Sequence, residues 1–162
     1  MRLLRSGAAV LCGLAAFATA GCGLSASPAD GLRFQAPPGW RPSPGVLGFM
    51  QFWRPPSGAR EVLMIFKSPK KLSSNDVYSS ANMQGAFKNV TVLRKQTMQI
   101  CGNQRALFVQ GRATSRNDTE SNVDIVITEV SGTSYMAMYL RPIDAAANPQ
   151  AEAALHELCA KS

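Results

Sequence analysis

The chain has few of the side chains that most catalytic and metal sites require. Its 162 residues include one histidine and four cysteines, and neither a Cys-x-x-Cys nor a Gly-x-Ser-x-Gly sequence occurs. A structural zinc site takes four His or Cys ligands, and nucleophilic catalysis needs a nucleophile, a base and an orienting group. The composition therefore argues against a metal site and a hydrolase, and we expect no catalytic residue and no cofactor.

Dense charge is also missing. The net charge is +7, but no run of five like charges occurs, and the densest basic cluster is Lys67, Lys70 and Lys71. A nucleic-acid-binding protein would show a basic face interleaved with aromatic residues, so we expect no nucleic-acid partner. A modest basic excess is typical of a solvated surface, and contact of the lysine cluster with lipid headgroups is the alternative.

The amino terminus has the order of a secretory signal. Arg2 and Arg5 precede an uncharged, mostly apolar stretch that ends at Ala20. This stretch is shorter than a typical membrane-spanning helix. Export of the chain is therefore expected, with residues 1–21 as the signal peptide.

Two cleavage sites compete. The sequence Thr19-Ala20-Gly21-Cys22 resembles the bacterial lipobox, with Thr19 where Leu is usual, and predicts lipidation of Cys22. Simple cleavage before Gly21 and an uncleaved anchor are the alternatives. We prefer the lipobox because it accounts for a cysteine at this place, and it anchors the protein on the periplasmic or extracellular side of a membrane. Removal of residues 1–21 lowers the net charge to +5.

The remaining sequence predicts a tether and one domain. Residues 22–31 are small and polar, as a flexible tether requires, and residues 32–162 are expected to form a single, monomeric domain. Cys12 lies in the signal peptide and Cys22 is the lipidation candidate. Because thiols in an exported domain most simply pair, a disulfide between Cys101 and Cys159 is predicted.

Hydropathy patterns predict strands before, between and after two helices. The first helix is expected from Ser74 to about Lys88, and the second starts at Asn148 with Pro149 in its first turn. Strands are predicted at 32–35, 47–53, 61–67, 90–95, 97–101, 105–114, 123–130 and 135–141. The strands at 47–53 and 61–67 are apolar at successive positions, which favours burial of both faces. The expected fold class is α+β, a mostly antiparallel meander sheet flanked by helices on both faces.

One stretch resembles a known family. Phe34-Gln35-Ala36-Pro37-Pro38-Gly39-Trp40 is similar to the opening motif of the PsbP-like fold family, and Cys101-Gly102-Asn103-Gln104-Arg105-Ala106 is similar to its mid-chain hairpin. The resemblance points to the bacterial exported lipoprotein branch and implies an α/β/α sandwich. Most members are binding or assembly partners without catalysis, so we expect a non-enzymatic envelope lipoprotein that binds or supports a protein partner.

His156 and three acids are the candidates for chemistry. On the second helix His156 lies off the face made by Ala151, Ala154, Leu155 and Leu158, so we expect it in solvent. Asp118, Glu120 and Asp124 alternate along an extended segment and could coordinate calcium, but we expect a solvated hairpin tip.

A second group could line a ligand cleft. Tyr135, Met136, Met138 and Tyr139 lie on one predicted strand. Core packing is the usual role of such residues, and a lipid or small apolar ligand held in a cleft between sheet and helix is the alternative function.

Overall fold

The computed structural model describes residues 31–44, 49–68, 71–73 and 87–161. The predicted signal peptide, Cys22 and the tether up to residue 30 lie outside these ranges. So does the predicted helix that starts at Ser74, except for its last two residues.

The described residues form nine strands and one helix. Their bounds are β1 Leu32–Arg33, β2 Arg41–Pro44, β3 Phe49–Arg54, β4 Val62–Ser68, β5 Phe87–Ile100, β6 Gln104–Ser115, β7 Glu120–Val130, β8 Thr133–Pro142, α1 Pro149–Leu155 and β9 Cys159–Ala160. Seven strands make one antiparallel sheet in the order β2-β3-β4-β8-β7-β6-β5, and β1 pairs with β9 in a separate two-stranded sheet. The meander predicted for the second half of the chain is confirmed as β5 to β8.

The predicted fold class, a sheet flanked by helices on both faces, is wrong. Strands account for 60% of the described residues and helix for 6%, and the single helix among them, α1, packs against β8 and β7. Phe87 and Lys88, expected at the end of a helix, begin β5 instead. The break predicted between the strands 90–95 and 97–101 is absent, because residues 90–100 belong to one edge strand, and Cys101 lies in the turn that follows it.

The central strands are buried on both faces, which explains their continuous apolar sequences. Since successive strand residues point to opposite sides, Val126 lies in the core beneath α1 while Ile125 and Ile127 lie in a second core on the other side. We call these the α1-side core and the opposite core. On β4, Leu63 packs in the α1-side core and Met64 packs in the opposite core. This confirms the two-sided burial predicted for that strand.

The opening motif folds over the α1-side core. The backbone N–H of Trp40 donates to the carbonyl of Pro37 at 3.1 Å, and Gly39 has a φ of +77°, a conformation that favours glycine. Trp40 is thereby buried, with its ring centroid 6.3 Å from that of Tyr139. The strand before the turn ends at Arg33, earlier than predicted, because it pairs with the two-residue β9.

The closing helix begins as its sequence indicates. The side chain of Asn148 accepts a hydrogen bond from the N–H of Gln150 at 3.0 Å, and Pro149 occupies the first turn. Ala151, Ala154 and Leu155 are buried as the spacing predicts. The one helix among the described residues, α1, lacks the length and apolar character needed to cross a bilayer.

The predicted disulfide joins Cys101 to Cys159, with their Cα atoms 5.7 Å apart. Cys101 lies in the turn between β5 and β6, and Cys159 lies in β9, beyond the helix end where it was expected. The bridge therefore connects the main sheet to the carboxyl-terminal strand. Gln104 strengthens the same junction, because its side chain donates to the carbonyl of Leu158 at 2.9 Å and accepts from the N–H of Ala160 at 2.9 Å.

Candidate functional site

The edge strand β5 is exposed along most of its length. It pairs with β6 from Phe87 opposite Ser115 to Ile100 opposite Gln104, and no other described strand pairs with it. Most of its fourteen residues are exposed or half-buried on both faces. An edge strand presents unpaired backbone N–H and C=O groups, which can bind another extended chain.

An irregularity in β5 places two apolar side chains in solvent. The register shifts between Val92 and Arg94, so Leu93 is an extra residue without a direct partner on β6. Val92 is 45% exposed and Leu93 is 57% exposed. The third large apolar residue found exposed in the described part of the chain is Ile143, at 37%.

Gly111 makes room for this irregular edge. It lies opposite Val92 on β6, and a Cβ atom added to it would stand 2.5 Å from the carbonyl oxygen of Thr91. Only glycine lets the two backbones approach so closely without a shift of one strand. The sequence of β6 therefore determines the shape of its neighbour.

The charged side chains of the edge strand β5 and its neighbour β6 are all positive. The basic residues on β5 and β6 are Lys88, Arg94, Lys95, Arg105 and Arg112, and neither strand contains an acid. Lys88 is paired with Asp118 at 2.7 Å, and Arg94 donates to the side chain of Gln96 at 2.7 Å. Lys95 has no ion pair among the described residues. We call Val92, Leu93, Arg94 and Lys95 the basic edge patch.

The other edge of the sheet is built differently. Strand β2 has four residues, of which Pro42 and Pro44 have no backbone N–H to donate. Short edges that contain proline cannot readily accept a further strand. Among the described strands, the sheet thus has one closed edge at β2 and one open edge at β5.

A cluster of polar side chains is buried on the face of the sheet that packs against α1. Asp124 is 1% exposed and forms an ion pair with Arg141, which is 8% exposed. The side-chain amide of Gln110 donates to the other carboxylate oxygen of Asp124 at 2.8 Å. Nε of Arg141 is buried and has no hydrogen-bond partner among the described residues.

Tyr139 extends this cluster towards α1. The Arg141 guanidinium carbon lies 5.4 Å from its ring centroid, and its hydroxyl donates to Glu61 at 2.9 Å and accepts from the N–H of Asn148 at 3.1 Å. Burial raises the pKa of Tyr139 to about 12; the bond from Asn148 lowers the pKa, and the bond to Glu61 raises it. The hydroxyl is therefore protonated at neutral pH and connects β8 to the start of α1.

The acids singled out in the sequence do not form one site. Asp118 and Glu120 are exposed, whereas Asp124 is buried against Arg141, so the expectation of a solvated trio is wrong for Asp124. No group of three or more His, Cys, Asp or Glu side chains suited to a metal ion occurs within the described ranges.

His156 follows α1 and is exposed, as predicted. Its backbone N–H donates to the carbonyl of Ala153 at 3.0 Å. Among the described residues, its imidazole makes no contact with an acid and a hydroxyl of the kind that a catalytic base requires.

The tyrosines and methionines of β8 pack in the two cores. Tyr135 and Tyr139 lie in the α1-side core, Met136 and Met138 lie in the opposite core, and none is more than 3% exposed. Core packing is thus their role in the fold, as the more usual of the two interpretations predicts.

Neither of two surface cavities lined by described residues matches an apolar cleft. One of about 340 Å³ lies near the β7–β8 hairpin, and one of about 410 Å³ lies in the β3–β4 loop. None of their described lining residues is methionine or aromatic. Lys71, at the first cavity, pairs with Glu129 at 3.3 Å; Lys67 is exposed on β4, and Lys70 lies outside the described residues.

The basic edge patch was missed at the level of sequence, although a signal exists. No acid stands between Asp76 and Asp118, while six basic residues do. A count of like charges in consecutive residues does not detect this asymmetry, because the basic residues are spread over two strands. The edge position of β5, at which Arg94 and Lys95 are exposed, follows only from the strand order of the sheet.

Comparison with known proteins supports the fold alone. No family model and no curated protein matches the chain. A solved structure with a similar fold is the solution structure of cyanobacterial PsbP (CyanoP) from Synechocystis sp. PCC 6803, with a TM-score of 0.53 and 17% sequence identity. The match covers 70% of this chain and 76% of that protein. The PsbP-like fold expected from the opening motif is therefore confirmed.

Proposed function

We propose that this chain is an exported lipoprotein, anchored through Cys22 on the periplasmic or extracellular side of a membrane, whose domain binds a protein partner in the cell envelope. The observation that carries the proposal is the basic edge patch. Two of the three exposed large apolar side chains in the described residues, Val92 and Leu93, lie side by side on an open sheet edge. Apolar groups exposed together on a soluble domain are typical of a surface that another protein covers.

The packing of the domain favours partner binding over carriage of a lipid or small apolar ligand. A carrier needs an apolar cleft. The side chains that could line one are packed in the two cores instead: Tyr135, Met136, Met138 and Tyr139. The described lining of both cavities lacks methionine and aromatic residues. The carrier remains the second candidate, and it predicts that a lipid co-purifies with the protein in stoichiometric amount.

A role without catalysis agrees with the positions of the candidate residues. His156 is exposed beyond the end of α1, and Asp124 is committed to Arg141 and Gln110. Both carboxylate oxygens of Asp124 are thus used in contacts within the fold.

The start of the domain suits attachment through a tether. The N–H of Lys161 donates to the carbonyl of Gly31 at 2.8 Å, which fixes the first described residue against the carboxyl-terminal segment. A chain extended from residue 22 to residue 31 reaches about 30 Å at most. The anchor would therefore hold the domain near the membrane.

Crosslinking in intact cells tests partner binding. A photo-reactive amino acid replaces Leu93 in the full chain, and the same group replaces exposed Arg54 on β3 as the matched control. We expect a discrete adduct from position 93, identified by mass spectrometry, and none from position 54. The absence of an adduct from every position of β5, together with a stoichiometric co-purified lipid, would instead support the carrier.

Mass spectrometry of the mature amino terminus tests the anchor. We expect a lipid-modified Cys22 as the first residue, and we expect Cys22→Ser to move the protein from the membrane fraction to the soluble fraction. An unmodified chain that begins at Gly21 would exclude lipidation and leave simple secretion.

A further inference from the structure

We propose that β5 binds an acidic polypeptide segment by strand addition: the segment pairs in extended conformation with the free edge of β5, and its carboxylates contact Arg94 and Lys95. This inference rests on the proposed partner-binding function and specifies the chemistry of the partner.

The backbone of β5 is suited to strand addition. It has fourteen residues, contains no proline and pairs with β6 alone among the described strands. Peptides that bind by strand addition gain their affinity from main-chain hydrogen bonds along such an edge. The β2 edge lacks these properties because it is short and contains Pro42 and Pro44.

The side chains of the edge present charge on both faces of the sheet. Arg94 lies opposite Gln110, on the side of α1, and Lys95 lies opposite Val109, on the other side. Successive residues of an added strand also point to opposite faces. Carboxylates on neighbouring residues of the segment can therefore reach one cation each.

The same charges disfavour a second copy of this chain as the occupant. Two β5 strands paired with each other would bring Lys88, Arg94 and Lys95 of each copy together, with no acid in either strand. Like charges on paired strands are destabilising. Charges at an edge are a known protection against self-pairing, and here they select an acidic partner at the same time.

The exposed apolar pair provides the remaining contact. Val92 lies opposite Gly111, which has no side chain to cover it, so the surface beside Val92 is shallow. Leu93 projects from the irregular position next to it. An apolar residue between two acids in the added segment would cover these side chains.

Binding of synthetic peptides tests the proposal with the purified, disulfide-bonded protein. The probe, called the Glu–Val peptide, is a labelled peptide of repeated Glu-Glu-Val-Val, which places carboxylates and valines on both faces of an added strand. In the control probe, the Glu–Pro peptide, proline replaces every valine, which keeps the charge but prevents pairing along a strand edge. We expect binding of the Glu–Val peptide that weakens with added salt, and at least about tenfold weaker binding of the Glu–Pro peptide. Equal binding of both peptides, or no binding up to about 1 mM, would overturn strand addition.

Two variants of β5 and one matched control locate the site. Arg94→Glu/Lys95→Glu and, separately, Leu93→Glu change exposed side chains of the basic edge patch, and each is expected to weaken peptide binding at least about tenfold. Arg54→Glu/Arg60→Glu makes the same change of charge at exposed residues of β3 and the loop after it, and binding should stay within about twofold of the wild type. Thermal unfolding verifies that all three variants fold.

Other occupants give different results. Sedimentation that shows a dimer lost in Leu93→Glu would assign the edge to a second copy. Binding to vesicles with anionic lipid, without binding to the Glu–Val peptide, would assign it to a membrane surface. If crosslinking in cells still yields the partner from Arg94→Glu/Lys95→Glu, strand addition fails while the proposed function stands; if no exposed position yields a partner, the proposed function fails.

Discussion

Gly111 on β6 lies so close to the backbone carbonyl of Thr91 on β5 that no side chain fits between them. A Cβ atom on Gly111 would lie 2.5 Å from the carbonyl oxygen of Thr91, closer than any unstrained contact permits. The contact lies next to the register shift that exposes Leu93. The shape of the open edge thus depends on the absence of one methyl group in the neighbouring strand.

Replacement of Gly111 by alanine is expected to destabilise the domain. Since the obstructing atom belongs to the backbone, one strand must shift, and overpacking of this kind costs about 1–3 kcal/mol. Urea unfolding should give a lower midpoint for Gly111→Ala. Arg112→Ala, an exposed change one residue away, is the control and should stay within about 0.5 kcal/mol of the wild type. Equal midpoints for the wild type and Gly111→Ala would contradict the close approach.

Loss of the disulfide is expected to lower stability without preventing folding. The bridge between Cys101 and Cys159 closes a loop with a sequence separation of 58. On the chain-entropy model such a loop contributes roughly 4 kcal/mol through the unfolded state. Gln104 still holds Leu158 and Ala160 in the folded state when the bridge is absent.

Unfolding of the Cys101→Ala/Cys159→Ala variant measures this contribution. A lower urea midpoint with an unchanged circular dichroism spectrum is the expected result. Gln104→Ala in the oxidised protein is the companion variant, and it should increase amide exchange in β9 while the bridge remains. A double-cysteine variant as stable as the oxidised wild type would show that the bridge adds nothing.

Sequence patterns predicted the parts of the fold that depend on neighbouring residues. Gly39 and Trp40 mark the opening turn, Pro149 marks the start of α1, and the two cysteines of the domain pair as expected. The turn and the helix start depend only on neighbouring residues, and each of the two cysteines has one possible partner in the domain. These signals required no knowledge of the sheet order.

The errors came from residues whose environment is set by distant strands. Polar residues around Lys95 were interpreted as a bend because edge position, which makes two polar faces tolerable, is a property of the whole sheet. Asp124 was grouped with the exposed Asp118 for the same reason. Its partner Arg141 stands on the other strand of the hairpin, on the same face, so the register of β7 and β8 is what reveals the pair.

The buried ion pair leads to a prediction for single and double substitutions. Asp124→Asn leaves the buried Arg141 without a counter-charge, and breaking a buried pair in this way costs about 3–5 kcal/mol. Asp124→Leu/Arg141→Met removes both charges and should be more stable than Asp124→Leu or Arg141→Met alone. Lys88→Ala, which breaks the exposed pair with Asp118, should cost less than about 1 kcal/mol. Additive losses in the double-mutant cycle would mean that the two side chains are not coupled.

The raised pKa of Tyr139 predicts that the folded protein loses stability at alkaline pH. Burial raises its pKa in the folded protein to about 12, above the ordinary tyrosine value of 10.0. The folded state therefore holds this proton more tightly than the unfolded state, so the contribution is complete below pH 10 and is lost as the pH rises towards 12. Stability measured by urea unfolding should fall across this interval.

Tyr139→Phe isolates that contribution from other groups that titrate at high pH. The variant loses the hydrogen bonds to Glu61 and Asn148, so its stability at neutral pH should be lower than that of the wild type. Its difference from the wild type should then shrink between pH 10 and 12, because phenylalanine has no proton to lose. A difference that stays constant with pH would mean that the hydroxyl of Tyr139 titrates equally in both states, and that its burial does not retain its proton.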